Sequence, residues 1–174
     1  LYLALARFYD RNRRPEDTVA ALKKLIKLDP DKLSHQFTLA SIYWDLDRKP
    51  EAKEVLKAII ASDPENEEKR TGAGKFYISK KSYEDAEREL REGIRKIEKS
   101  FNLRMLLSEL YVNLKKTDEA IAVLKECLSL DKDQANPDII RAKNALAKIY
   151  LMLKDAEQTE IYVNEVLKES PGNT

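Results

Sequence analysis

Apolar residues recur in pairs of helical runs along the chain, and one complete pair occupies residues 36–64. The first run carries Leu39, Ala40 and Tyr43 on one side, and the second run carries a wider stripe made of Ala52, Leu56, Ile59 and Ile60. Spacings of three and four residues are typical of an amphipathic α-helix with one buried side. The stretch therefore predicts a helical hairpin that ends at Asp63-Pro64, because a residue before proline is pushed out of the α region.

The same pair of helical runs occurs five times along the chain, and a tyrosine in the first run marks each copy. The tyrosines are Tyr9, Tyr43, Tyr77, Tyr111 and Tyr150, at steps of 34, 34, 34 and 39 residues. A leucine lies four residues before the tyrosine in every copy except the third, which has Ala73. The small residues of the second runs are Thr18, Ala52, Ala86, Ala120 and Thr159. A fixed period of this length indicates a repeat architecture built from helix pairs.

This pattern resembles the tetratricopeptide repeat, and the resemblance covers essentially the whole chain. The closing proline of that repeat is present as Pro30, Pro64 and Pro171, whereas Glu98 and Lys132 replace it in the two middle copies. The resemblance implies an all-α fold, a right-handed α-solenoid in which antiparallel helix pairs stack into a superhelix. Each pair needs its neighbours, because a lone hairpin cannot bury its apolar face.

The copies predict a single array with repeats at about 1–31, 32–65, 66–99, 100–136 and 137–171. The longer last step falls within DKDQANP, residues 131–137, whose Asn-Pro pair predicts a loop followed by a helix start. The first copy begins partway through its first helix and the chain closes on SPGNT, so we expect a piece of a longer protein. Neither end shows the polar capping helix that such arrays require, and self-association through these ends is a further expectation.

Local signals predict where several helices begin. Proline suits the first turn of a helix, where its missing N–H would be unsatisfied anyway, and Pro15 and Pro50 stand at the second helices of the first two copies. Side-chain caps are predicted at Ser82 with Asp85, at Ser100, at Thr117, and at Asp155 with Gln158. In the third copy Gly74 occupies the small position beside the seam, but Gly72 has no packing reason in the pattern.

The composition fits a soluble helical protein with interspersed charges. Apolar residues make up 43% of the chain and charged residues 36%, with a net charge of only +1. This balance lacks the basic excess of a nucleic-acid binder, and four glycines leave little room for the turns of a β protein. No apolar run approaches the roughly 18 residues of a membrane span, so no direct membrane insertion is expected. The cytoplasm and the bacterial periplasm are both open as compartments.

The chain offers few groups for catalysis or metal binding. Cys127 is the only cysteine and His35 the only histidine, and nearly three repeats separate them. Cys127 lies among Val123, Leu124 and Leu128, where a small core residue is expected. A Gly-rich phosphate loop, a nucleophile elbow and zinc-ligand spacing are all missing. The sequence therefore predicts a protein that is not an enzyme and holds no cofactor or metal.

Three positions of each first helix are predicted to face a groove. At about 100° per residue, the positions six before, two before and one after the tyrosine lie away from the buried leucine. The resemblance implies that first helices line the inner surface of the array. The predicted peptide-binding groove residues are Phe37, Ser41, Trp44, Thr71, Lys75, Ile78, Met105, Glu109, Val112, Asn144, Lys148 and Leu151.

These positions form an apolar track with few charges. Family members that bind chaperone C-terminal peptides use a lysine and an asparagine at the first two positions, and no copy here has that pair, so a carboxylate clamp is not expected. The track instead predicts a ligand with apolar side chains, with Trp44 as a strong contact because Trp is enriched at interface hot spots. The competing interpretation is that a neighbouring helix covers Ile78, Val112 and Leu151, which would make them core residues.

The function predicted from these features is a non-catalytic scaffold that binds a protein or peptide partner in its groove. The alternative is a structural spacer within a larger enzyme or a bacterial envelope-assembly protein. An RNA-binding helical repeat is less favoured, because such repeats need a basic inner surface and this groove mixes Lys75 and Lys148 with Glu109.

Overall fold

The computed structural model describes residues 1–169, which form α-helices joined by short turns and contain no strand. The helices within this range are α1 (Tyr2–Arg11), α2 (Pro15–Leu28), α3 (Leu33–Asp45), α4 (Lys49–Ala61), α5 (Glu67–Ser79), α6 (Tyr83–Lys96), α7 (Phe101–Asn113), α8 (Thr117–Leu128), α9 (Pro137–Met152) and α10 (Ala156–Glu169). The all-α class predicted from the sequence is confirmed. Each tyrosine of the repeat lies in an odd-numbered helix, the first helix of its copy.

Consecutive helices pack against each other as hairpins, as seen for α1 with α2, α3 with α4, α7 with α8, and α9 with α10. A second helix also packs on the first helix that follows it, as seen for α2 with α3, α6 with α7, and α8 with α9. Helices α2, α3, α7, α8 and α9 thus each pack against a helix of their own copy and against a helix of a neighbouring copy. This is the packing that a helix-pair repeat requires.

The turn inside every hairpin has the same backbone conformation. Its left-handed residue lies four positions after the tyrosine, and these residues are Arg13, Asp47, Lys81, Lys115 and Lys154, with φ between 54° and 60°. The following N–H donates to the carbonyl of the tyrosine, as Lys116 N does to Tyr111 O at 2.9 Å. Because the left-handed residue halts the helix and satisfies a free carbonyl, all the first helices end at the same position.

In the second to fifth copies, a long polar side chain seven residues before the tyrosine bonds the start of the first helix to a nearby polar group. Gln36 Nε2 donates to the carbonyl of Pro30, Arg70 Nε to the carbonyl of Pro64 at 2.6 Å, and Arg104 Nη1 to the carbonyl of Ser100 at 2.9 Å. In the fifth copy this position is Lys143, which pairs with Glu165 of α10 at 3.0 Å. Arg70, Arg104 and Lys143 are buried, and a buried cation requires such partners.

The described residues divide into two compact units, the first running from Leu1 to Phe76 and the second starting at Tyr77, so that the division falls within α5. The core of the first unit contains Ala6, Val19, Ala21, Leu22, Leu39, Tyr43 and Ala52. Buried residues of the second unit include Leu90, Leu103, Leu107, Leu124 and Leu146. The single array with the repeat boundaries given above stays a prediction, and its Pro171 lies outside the described residues.

Three predicted helix starts are confirmed. Ser100 Oγ accepts from the backbone N–H of Leu103 at 3.1 Å and caps α7. Asp155 Oδ1 accepts from the N–H of Gln158 at 3.0 Å ahead of α10. The Asn136 side chain accepts from Asp138 N at 2.8 Å and Pro137 begins α9. The extra residues of the longer step therefore supply a loop, with its own cap, before the fifth copy.

Two predicted caps are corrected by the structure. Thr117 is not a cap: α8 begins at Thr117 and Lys116 precedes it, with no side-chain cap hydrogen bond. The turn fixes this boundary, because Lys116 N already donates to Tyr111 O and leaves Thr117 inside the helix. Ser82 does stand at the N-cap of α6, but its hydroxyl donates to Asp85 Oδ2 at 2.7 Å instead of accepting from a backbone N–H.

Gly72 has a packing reason that the sequence pattern did not show. The ring of Phe37, on α3, covers the side of α5 at this position, and a Cβ added to Gly72 would lie only 2.5 Å from the ring tip. A side chain at Gly72 would therefore displace Phe37. The glycine lets α3 and α5 approach each other within the first unit.

Candidate peptide-binding face

The twelve residues predicted to line the groove, called here the first-helix face, all keep some accessible surface. Lys75, Glu109, Lys148 and Leu151 are exposed, and the other eight are partly buried. By contrast, the seam residues Leu39, Ala73, Leu107 and Leu146, four before the tyrosines of the second to fifth copies, are all buried. The helical register thus separates the two sides of the first helices as predicted, whereas the binding role of the first-helix face stays a prediction.

In the first unit, the two aromatic members of the face take part in packing between first helices. Phe37 lies over Gly72, and the Trp44 ring meets Phe76 of α5 edge to face, with ring centroids 5.6 Å apart. The ammonium of Lys49 lies 5.9 Å from the centre of the Trp44 ring. Phe37 and Trp44 are therefore partly covered by their own chain, and only their remaining surface is open to a ligand.

The other members of the face in the first unit are polar. Ser41 Oγ lies 3.4 Å from Asp45 Oδ2, one turn further along α3. Lys75 is exposed on α5. The hydroxyl of Thr71 is buried and has no hydrogen-bond partner among the residues that the structure describes. Between the aromatic residues, this part of the face offers the hydroxyl of Ser41 and the ammonium group of Lys75.

In the second unit, α7 and α9 lie in contact with each other although α8 separates them in sequence. Two adjacent first helices form the kind of wall that the resemblance implies. On α7, Met105 and Val112 are partly buried and Glu109 is exposed. On α9, Asn144 is partly buried and Lys148 is exposed. The wall therefore combines apolar surface with one exposed acid and one exposed base.

The competing interpretation places Ile78, Val112 and Leu151 in the core, and the three residues differ in burial. Ile78 and Val112 are partly buried, whereas Leu151 is 66% exposed. Leu151 is not covered by a neighbouring helix within the described residues. In the second copy this position contacts the next first helix, since Trp44 packs against Phe76.

A polar network that the sequence analysis did not predict joins α6 to α7. Tyr111 Oη donates to Glu87 Oε1 at 2.7 Å, and Arg91 Nε and Lys116 Nζ pair with the same carboxylate at 3.1 and 3.5 Å. The hydrogen bond from Tyr111, supported by Arg91, holds the pKa of Glu87 below its ordinary value. Burial, together with the bond to Glu87, raises the pKa of Tyr111 to about 12. A partner 24 residues away left no local signal in the sequence.

The described residues provide no evident reactive centre. Cys127 is fully buried, and burial raises the pKa of its thiol to about 11. No group of three or more His, Cys, Asp or Glu side chains within residues 1–169 could hold a metal ion. Every helix in that range is too short or too polar to cross a bilayer.

A cleft of about 670 Å³ in the first unit lies away from the first-helix face. Side chains from α2, α3, α4 and the start of α5 line it, among them Ile26, Leu33, Val55 and Lys69. None of the twelve predicted residues lines this cleft or a smaller one of about 330 Å³ beside Arg13 and Asp45.

These features define the class of the protein, an α-solenoid scaffold assembled from repeated helix pairs. Family models described as tetratricopeptide repeat match residues 11–68 and residues 101–134. The chain is a tetratricopeptide repeat protein. No curated protein sequence matches it significantly.

Solved structures that resemble the chain include repeat proteins of similar length. A crystal structure of MamA is 19% identical, with a TM-score of 0.62 over 96% of this chain and 95% of that one. MamA from Desulfovibrio magneticus, from residue 41 to its end, is 14% identical, with a TM-score of 0.60 over 99% and 94% of the two chains. The repeat protein TTC0263 of Thermus thermophilus is 20% identical, with a TM-score of 0.59 over 99% and 91%. At these identities the likeness shows the fold alone.

Proposed function

We propose that this protein is a non-catalytic scaffold whose first-helix face binds an extended segment of a protein partner. The observation that carries the proposal is the contact between α7 and α9, two first helices whose face residues keep their surface. Adjacent helices with aligned side chains offer a continuous track for a peptide, and anchors spaced along such a track give specificity.

The chemistry of the face supports a ligand with apolar side chains and charges of both signs. Met105 and Val112 offer apolar contacts along α7, while Glu109 and Lys148 are exposed beside them on neighbouring helices. A basic group near Glu109 and an acidic group near Lys148 would complement these charges and favour one direction of the peptide. The face lacks the lysine and asparagine pair of the carboxylate clamp, so an internal segment fits as well as a free C-terminus.

The absence of catalysis in this scaffold is also part of the proposal. The thiol of Cys127 is inaccessible and carries a raised pKa, which disfavours the nucleophilic thiolate. His35 is buried in α3 and far along the sequence from that thiol. The burial of both groups supports a protein that binds a partner without catalysing a reaction.

A peptide selection tests the proposed function. The purified chain is immobilised and screened against a phage-displayed library of random peptides, and an enriched peptide is synthesised with a fluorescent label. Fluorescence anisotropy then measures its affinity for the wild type and for Met105→Ser. We expect the substitution to weaken binding by at least about tenfold, the loss of more than about 1 kcal/mol seen when a contact of energetic weight is truncated.

Ile121→Ser is the matched control, because Ile121 is an equally partly buried apolar residue on α8, the second helix of the same hairpin. Its affinity for the peptide should stay within about twofold of the wild type. Circular dichroism confirms that both variants are folded. A library that enriches no peptide, or equal losses in the two variants, would contradict the proposal, and the former result favours the spacer alternative.

A further inference from the structure

In the fourth and fifth copies, an ion pair joins the position seven before the tyrosine to the position fifteen after it. Arg104 of α7 pairs with Glu126 of α8 at 3.4 Å. Lys143 of α9 pairs with Glu165 of α10 at 3.0 Å. In each of these hairpins, the pair fills the space between the first part of one helix and the last part of the other.

The second copy lacks this ion pair and has a cleft at the same positions. Gln36 of α3 and Ala58 of α4 stand in place of the two charged residues, and both line the cleft of about 670 Å³. Gln36 Nε2 donates to the carbonyl of Pro30. In the third copy Arg70 Nε donates to the equivalent carbonyl of Pro64. Because glutamine is shorter than arginine and alanine has no carboxylate, the second copy leaves open the space that the ion pair fills in the fourth.

Apolar side chains from three helices form the walls of the cleft. Ile26 of α2, Leu33 of α3 and Val55 of α4 line it and are partly buried. Helices of this chain precede and follow the cleft, since its lining runs from α2 to the start of α5. Its volume lies within the roughly 300–1,000 Å³ of ligand-sized sites, which combine apolar walls with a few polar groups. The methylene stem of a long cationic side chain packs well on such walls.

Carboxylates are the predominant charged groups of the cleft. Asp31 and Glu68 line it and are exposed, and neither forms an ion pair with another residue in the range 1–169. The Gln36 amide keeps its oxygen to accept a hydrogen bond, because its nitrogen already donates to the backbone. Lys69 is the basic residue among the described lining residues, and its ammonium donates to Ser62 Oγ at 2.8 Å. Two carboxylates beside one engaged ammonium favour a cationic ligand.

We propose that this cleft is a second binding site, which takes an arginine side chain from a protein segment other than the one bound at the first-helix face. The third and fourth copies bury an arginine of their own, Arg70 and Arg104, at the position of Gln36. The guanidinium of the partner donates to Asp31 and Glu68, and an apolar neighbour in the same segment packs on the walls of the cleft. A guanidinium fits better than an ammonium, because its five donors in one plane bond several acceptors at once.

An amide chemical-shift titration with the short peptide acetyl-Leu-Arg-Leu-amide tests the proposal. We expect saturable shifts at millimolar peptide that concentrate on the amides of Asp31, Leu33, Val55 and Glu68. A peptide with citrulline in place of arginine keeps the shape but has no charge. It should bind at least about tenfold more weakly, because hydrogen bonds between charged groups are the stronger ones. A peptide with glycines in place of the leucines should also bind more weakly, because it leaves the apolar walls uncovered.

Variants of the cleft test the same site from the side of the protein. Gln36→Arg combined with Ala58→Glu rebuilds the ion pair of the fourth copy inside the cleft, so this double variant should no longer bind the peptide. Asp31→Asn removes one carboxylate and should weaken binding by at least about tenfold. Asp29→Asn is the matched control, because Asp29 is an exposed aspartate of the same loop that does not line the cleft. Its affinity should stay within about twofold of the wild type.

Loss of the expected charge dependence or location would overturn the proposal. A wild type without saturable shifts, equal affinities for the arginine and citrulline peptides, or full binding by the double variant would each do so. Shifts that concentrate on α7 and α9 would place the peptide on the first-helix face instead. Met105→Ser, which alters that face, should bind this peptide like the wild type, so the two sites are tested separately. Circular dichroism checks that all variants are folded.

Discussion

Glu87 links α6 of the third copy to α7 of the fourth copy by polar contacts. Its carboxylate accepts from Tyr111 of α7 and pairs with Arg91 and Lys116, while its own helix is α6. The guanidinium of Arg91 and the ammonium of Lys116 also lie 5.7 and 5.6 Å from the Tyr111 ring centre. The signature tyrosine therefore serves both as a packing residue and as the donor that orients a charged network.

The lowered pKa of Glu87 predicts a defined loss of stability in acid. Because the folded-state pKa is below the ordinary value of 4.5, the ionised carboxylate stabilises the protein above that value, and the contribution disappears as pH falls through the folded-state pKa. Glu87→Gln should therefore lower the free energy of unfolding at pH 7, by about 1 kcal/mol or less for this partly exposed group. In strong acid, where both side chains are neutral, the difference should vanish.

Urea denaturation of the wild type and Glu87→Gln at neutral pH and near pH 3 measures this difference, provided that both proteins are folded before urea is added. Glu92→Gln is the control, because Glu92 is exposed in the middle of α6 and its equivalent change should be close to zero at either pH. An equal destabilisation of Glu87→Gln at both pH values would mean that shape and not charge explains the role of this residue.

Single residues show which parts of the structure the sequence could reveal. Ser100 and Asp155 were identified as caps because a cap depends on residues three positions away. The bond from Tyr111 to Glu87 spans 24 residues and the contact of Phe37 with Gly72 joins two helices. Neither could be predicted, because both depend on how neighbouring hairpins pack.

At the scale of the helices, the regular ends of the first helices come from backbone geometry and not from recognisable turn residues. The left-handed positions carry arginine, aspartate and lysine, and none of them is glycine. Glycine is the usual residue in this conformation, since it has no Cβ to clash. The sequence therefore carries no glycine that marks these turns, and the predicted cap of α8 lies one residue too late.

The contact between α3 and α5 predicts an unusual response to an alanine in α5. Alanine is favoured over glycine in a helix by up to about 1 kcal/mol, but at Gly72 its Cβ would lie within 2.5 Å of the Phe37 ring. Gly72→Ala should thus be stabilising in a Phe37→Ala background. In the wild type it should stabilise less or destabilise, because overpacking costs about 1–3 kcal/mol.

Chemical denaturation of the wild type, the two single variants and the double variant gives the coupling free energy. We expect a coupling of at least about 1 kcal/mol between the two positions, as found for residues in direct contact. Additive effects would show that the Phe37 ring does not rest on Gly72.

At the scale of the whole molecule, the repeat period predicted the fold, whereas the binding role of the first-helix face stays a prediction. A 34-residue step with a tyrosine and a leucine four apart was enough to predict helix pairs and their buried seam. The exposure of each face residue depends on the next hairpin, so Trp44 and Leu151 occupy the same register with different surroundings.

The central claim is that first helices, and not second helices or a reactive centre, contact the partner. The fold provides the wall, with α7 and α9 side by side, and the residues on it combine apolar surface with Glu109 and Lys148.

An amide chemical-shift titration by nuclear magnetic resonance, with the peptide enriched from the library, tests the central claim most directly. The account predicts that the shifted signals concentrate on α7 and α9, around Met105, Glu109, Asn144 and Lys148, while the amides of α8 and α10 stay in place. Shifts that concentrate on α8 or α10, or no shift at saturating peptide, would contradict it.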